Sequence, residues 1–254
     1  MNPYILFIGT SHTAGQCKRG KRAFLDENDL WCKLLADKLQ LPYKKIGLLG
    51  VENWELTQNL LHVIEQDPNF QQNCKFIMAE VRLGSFLMPV PYDEIEPNYT
   101  DDSLTTDNLL TRMTLCLRWP EQIDRIANNY SGKGNKTVLQ ILHDANTIYH
   151  SSVTGYFRSA VEINTMHSIA KLVGVPFYWT TWCESVDNDD VPIFQQYVSI
   201  IKEKYKDTFA RRIPETSINQ NILFDWDNSS CECGHWDETV QDEIARLLYK
   251  YIKV

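Results

Sequence analysis

The sequence contains no apolar run of the roughly 20 residues needed to cross a bilayer. It begins without a basic n-region, a long apolar stretch or an A-x-A-like cleavage site, so neither a membrane span nor a secretory leader is expected. A basic excess is also missing. The net charge is −8, against the positive footprint of a general nucleic-acid binder. No internal repeat, low-complexity tract or linker divides the chain. Its seven cysteines are odd in number and lack the regular spacing of a secreted scaffold, which predicts reduced thiols in a cytoplasmic protein. A virion component made inside a cell would share that signature. What remains is a globular chain, 43% hydrophobic and 23% charged, whose 254 residues can bury a large core.

Apolar runs alternate with helical spacing along the chain. Strands are predicted at Pro3 to Thr10, Tyr43 to Leu49, Cys74 to Val81, Val175 to Trp182 and Asn221 to Trp226. Helices are predicted at Asp26 to Leu39, Trp54 to Glu65, Leu109 to Asn129, Val138 to His150, Tyr156 to Leu172, Pro192 to Tyr205 and Glu238 to Ile252. Such alternation points to a parallel sheet with right-handed crossovers. Leu83 to Thr106 carries Pro89, Pro91 and Pro97 and reads as a long loop, a length associated with lids and binding walls. The expectation is one α/β domain over residues 1–254, a three-layer α/β/α flavodoxin-like fold. It should have about five mostly parallel strands and a helical insertion from about Leu83 to Ser152.

Chemistry concentrates at the two ends. The first strand runs into Gly9-Thr10-Ser11-His12, and open α/β sheets place their ligands at the carboxyl ends of their strands. Near the other end stands Glu232-Cys233-Gly234-His235, just ahead of the last helix. A serine hydroxyl becomes a nucleophile when a base takes its proton and a third group orients that base. Ser11, His235 and Glu232 supply those three types, with Asp227 and Asp237 as alternatives to Glu232. Asp237 also suits the N-cap of the final helix. His12 is read as a residue lining the mouth of the site. Lys18, Arg19, Lys21 and Arg22 form a basic knot, either a solvated loop or a steering patch for an anionic substrate.

These motifs, in this order, resemble the SGNH or GDSL-type esterases and acylhydrolases, and the overall form is most similar to bacteriophage-encoded members. The resemblance implies Ser11 as nucleophile, with Thr10 in place of the usual aspartate, and His235 as base, with Glu232 in place of aspartate. Gly50 would be the oxyanion glycine, or Gly47 if the second strand ends earlier. The family's Gly-x-Asn-Asp after the third strand is missing, since the chain reads Glu80-Val81-Arg82-Leu83-Gly84-Ser85. Oxyanion donors would then be the backbone of Ser11 and Gly50, joined by Arg82 or Ser85, with Arg82 and His12 also touching substrate. The implied activity is hydrolysis of a small ester, such as an O-acetylated carbohydrate, without cofactor or metal, nucleic-acid or membrane partner.

Two rival readings come from other classes. One is a non-catalytic binding or structural protein on the same scaffold, motivated by the missing asparagine and by Thr10. The other is a metal protein built on Cys231, Cys233 and His235, with Cys183 completing the set, although structural zinc sites favour C-x₂₋₄-C pairs. His143, Asp144 and His150 are read as helix-surface residues.

Overall fold

The computed structural model describes residues 3–18, 21–48, 51–83, 88–89, 114–115, 152–182, 192–222 and 236–252. The opening apolar run is β1 (Tyr4–Gly9), followed by the short helix α1 (Ser11–Ala14) and a hairpin of β2 (Gln16–Lys18) and β3 (Lys21–Phe24). Next come α2 (Trp31–Leu39), β4 (Tyr43–Gly47), α3 (Asn53–Gln66), α4 (Phe70–Asn73) and β5 (Cys74–Glu80). β6 (Met88–Pro89) pairs with β7 (Thr114–Leu115). After them stand α5 (Ser152–Leu172), β8 (Phe177–Thr180), α6 (Pro192–Lys204), α7 (Lys206–Phe209), α8 (Ile218–Asn221) and α9 (Gln241–Tyr249).

The main sheet has the order β4-β1-β5-β8, and all its pairings are parallel. Every residue of β1 is buried. Alternation along the strand explains why the run is continuously apolar. Leu6 and Ile8 enter a core with Leu56 and Leu60 of α3 and with Tyr156, Ile163 and Met166 of α5. Ile5 and Phe7 enter a second core with Trp31 and Leu35 of α2 and with Ile244 and Leu248 of α9. Helices therefore cover both faces of a parallel sheet, the predicted three-layer α/β/α class.

Three predicted elements are corrected. The fifth strand is not at Asn221, which closes α8, and 223–226 lie outside the described residues. β8 instead meets a one-residue parallel bridge at Arg212, in which the Trp179 N–H donates to the Arg211 carbonyl and the Ile213 N–H to the Trp179 carbonyl. The stretch from the first strand to Phe24, which its polar, glycine-containing sequence predicts as a loop, holds α1 and the β2–β3 hairpin. The hairpin pairs Lys18 with Lys21, two members of the basic knot, while Arg19 lies outside the described residues. Thr114 and Leu115, expected in a helix, are strand. The rest of that helix, the next predicted helix and most of the insertion lie outside the described residues.

Candidate active site

Ser11 is the first residue of α1 and is 4% exposed, at the carboxyl end of β1 as predicted. It begins a helix rather than continuing the strand. Gly15 ends α1 at φ +80, a left-handed conformation that glycine adopts without a Cβ penalty. Below the turn lies Glu80, the last residue of β5 and fully buried. Its carboxylate accepts the Thr10 N–H at 2.7 Å, the Thr10 hydroxyl at 2.9 Å and the Thr13 hydroxyl at 3.1 Å. Burial is the largest influence on this carboxyl and raises it above the ordinary glutamate range, against the pull of those hydrogen bonds and of the Arg82 charge.

The neighbouring strand ends tightly against the same turn. β4 stops at Gly47, before the predicted end at Leu49. A Cβ at Gly47 would lie 2.4 Å from both the Cα and the N of Ala14, so the α1 backbone rests directly on this glycine. The Leu48 N–H donates to the Gly9 carbonyl at 3.0 Å and extends the pairing beyond β4. Gly50 lies outside the described residues.

After the third strand, where the family's asparagine is missing, another asparagine acts on the chain. Asn53, the buried first residue of α3, donates its amide to the Arg82 carbonyl at 2.7 Å and accepts the Arg82 N–H at 2.9 Å. The pair mimics a strand ladder and fixes the backbone from which the Arg82 side chain leaves. The Arg82 Nε is buried and has no hydrogen-bond partner among the described residues. Ser85 lies outside them.

His12 is 4% exposed, so it is a buried ring rather than an open mouth residue. It packs between two tryptophans, with ring centroids 4.1 Å from Trp236 and 5.0 Å from Trp182. The Trp236 indole N–H donates to Asn219 Oδ1 at 3.1 Å, and the Asn219 N–H donates to the Trp182 carbonyl at 3.1 Å. Gln241 of α9 adds a second brace. Its Oε1 accepts the Trp31 N–H at 3.0 Å, and its Nε2 donates to the Asp237 carbonyl at 3.1 Å. Trp236 directly follows His235, and His12 directly follows Ser11. The residue after Ser11 and the first described residue of the last segment, Trp236, therefore meet beside the carboxyl end of β1.

Asp237 is not the N-cap of the last helix, because Val240 holds that position. Its Oδ1 accepts the Thr239 N–H at 2.8 Å and closes the turn ahead of the helix. Glu232, His235, Asp227, Cys183, Cys231, Cys233, His143, Asp144 and His150 lie outside the described residues. Sequence reasoning assigned no role to Glu80, Thr13, Asn53 or Gln241. Glu80 alone carried a signal, as an acid closing an apolar strand at its ligand-bearing end.

No family model and no curated protein matches the sequence. Among solved structures, the chain is similar to the psychrotrophic esterase EstA from Pseudoalteromonas sp., in a structure inhibited by monoethylphosphonate. The identity is 11%, the match covers 98% of this chain and 96% of that one, and the TM-score is 0.52. An acetyl xylan esterase, Est2A, from the rumen bacterium Butyrivibrio proteoclasticus aligns at 12% identity and a TM-score of 0.46, over 98% of this chain and 62% of that one. A G-D-S-L family protein from Desulfitobacterium hafniense DCB-2 aligns at 10% identity and a TM-score of 0.47, over 99% and 100%. The likeness to EstA shows a shared fold.

Proposed function

We propose that this chain is a serine ester hydrolase of the SGNH type, acting through an acyl-enzyme. One observation carries the reading: His12, the residue after Ser11, packs against Trp236, the residue after His235, with ring centroids 4.1 Å apart and the rings tilted by 46°. The residues that follow the two motifs paired by the resemblance thus meet beside the carboxyl end of β1, where such folds bind ligands, which supports the pairing. That EstA, which shares the fold, is an esterase supports the same conclusion.

Ser11 Oγ attacks the ester carbonyl while His235 takes its proton. The oxyanion of the tetrahedral intermediate is received by backbone N–H groups of Ser11 and Gly50 and by Arg82 or Ser85. Collapse expels the alcohol, protonated by His235, and leaves the acyl group on Ser11. Water activated by His235 then releases the acid. Glu232 orients the imidazole and stabilises its charged form. The substrate is a small ester, and seven tryptophans and twelve tyrosines suit the stacking faces of an O-acetylated carbohydrate.

The test is covalent. A fluorophosphonate probe should label the folded protein, and peptide mass mapping should place the adduct on Ser11. A folded protein that leaves the probe intact would replace this reading with a non-catalytic binding protein, the alternative motivated by the missing Gly-x-Asn-Asp.

A further inference from the structure

We propose that Glu80 is a positioning residue for the nucleophile, a carboxylate lent by the neighbouring strand that holds the Ser11 turn in its reactive geometry. The inference rests on the reading of Ser11 as nucleophile. Glu80 is fully buried, and no cation lies within ion-pair distance of it among the described residues. An ionisable group in that position is costly, whereas an apolar side chain would fill it more cheaply.

What the carboxylate holds explains its presence. Its donors among the described residues belong to the turn: the N–H and hydroxyl of Thr10, just before α1, and the hydroxyl of Thr13, within it. Ser11 and His12 lie between these anchors, so the turn is tied on both sides of the nucleophile. A Cβ on Gly9 would come within 2.1 Å of Thr13 Oγ1 and 2.8 Å of Glu80 Oε2, so the glycine admits the clamp. The Thr10 N–H is committed to Glu80, which assigns the oxyanion donors to amides from Ser11 onward.

Wild-type protein, Glu80→Gln, Glu80→Ala and Thr10→Val test this by the fluorophosphonate labelling rate at Ser11 and by kcat and KM on p-nitrophenyl acetate. Thermal melts serve as the folding control. Glu80→Gln should stay within about 3-fold of wild type, because its amide offers an acceptor to the Thr10 N–H and a donor to the Thr10 hydroxyl. Glu80→Ala should lose about 100-fold in kcat with KM within about 2-fold, the signature of a displaced nucleophile rather than lost substrate binding. Thr10→Val, which removes one anchor, should lose about 10-fold.

A folded Glu80→Ala protein that labels at the wild-type rate overturns the proposal. So does an equal loss in Glu80→Gln and Glu80→Ala, which would assign the effect to charge rather than position. If Glu80→Ala does not fold, Thr10→Val decides, and a wild-type rate there also overturns it. Wild-type protein that fails to label refutes the nucleophile reading itself, before any Glu80 variant is made, and removes the basis of this proposal.

Discussion

Ser11→Ala is expected to lower p-nitrophenyl acetate turnover by at least about 10³-fold while leaving the fold intact. The substitution deletes one oxygen from a side chain that is 4% exposed at the start of a four-residue helix, and it adds no volume. Helix propensity favours alanine, so the change in stability should stay within about 1 kcal/mol. His235→Ala should fall to a similar floor, and the double variant should fall no further, because a nucleophile and its base act as a unit. Steady-state assays on the three variants, with melting curves beside them, check this. Unchanged turnover in a folded Ser11→Ala protein would sink the mechanism.

Gly47→Ala should have the largest effect on stability, about 3 kcal/mol or more, from the clash of its new methyl group. That Cβ would meet the Ala14 Cα and N at 2.4 Å and the Thr13 carbonyl carbon at 2.7 Å, all of them backbone atoms. Backbone cannot rotate aside as a side chain can, so either β4 or α1 must move. If α1 moves, Ser11 moves with it. A lowered urea midpoint together with slower fluorophosphonate labelling is the expected pair of results. A wild-type midpoint would show that the two elements are less tightly apposed than the structure places them.

The fold was legible where burial imposes a pattern. β1, β5 and β8 are covered on both faces, so they read as apolar runs, and the core-facing Tyr156, Ala160, Ile163, Met166 and Ala170 of α5 recur at three- and four-residue spacing. The start of α2 was blurred for a physical reason. Leu30 at its N-cap makes no side-chain cap, and the Trp31 N–H is satisfied by Gln241, 210 positions away. A cap supplied from so far along the chain leaves no local signal. The bridge at Arg212 escaped likewise, since one paired residue makes no alternation. The position of Ser11 just past a strand was legible from the apolar run before it. Glu80 was visible as a residue but not as a clamp, because its meaning lies in which turn it meets across the sheet.

The brace between Gln241 and Trp31 also bears on how the protein is made. The turn after the first strand and its Glu80 clamp leave the ribosome before the segment around Trp236 and Gln241 has been synthesised and has closed back onto them. A nascent chain can collapse around its first strands and still present no organised site. Ester-cleaving capacity should therefore switch on late and abruptly during synthesis, and interrupted translation products should be inert rather than partly active.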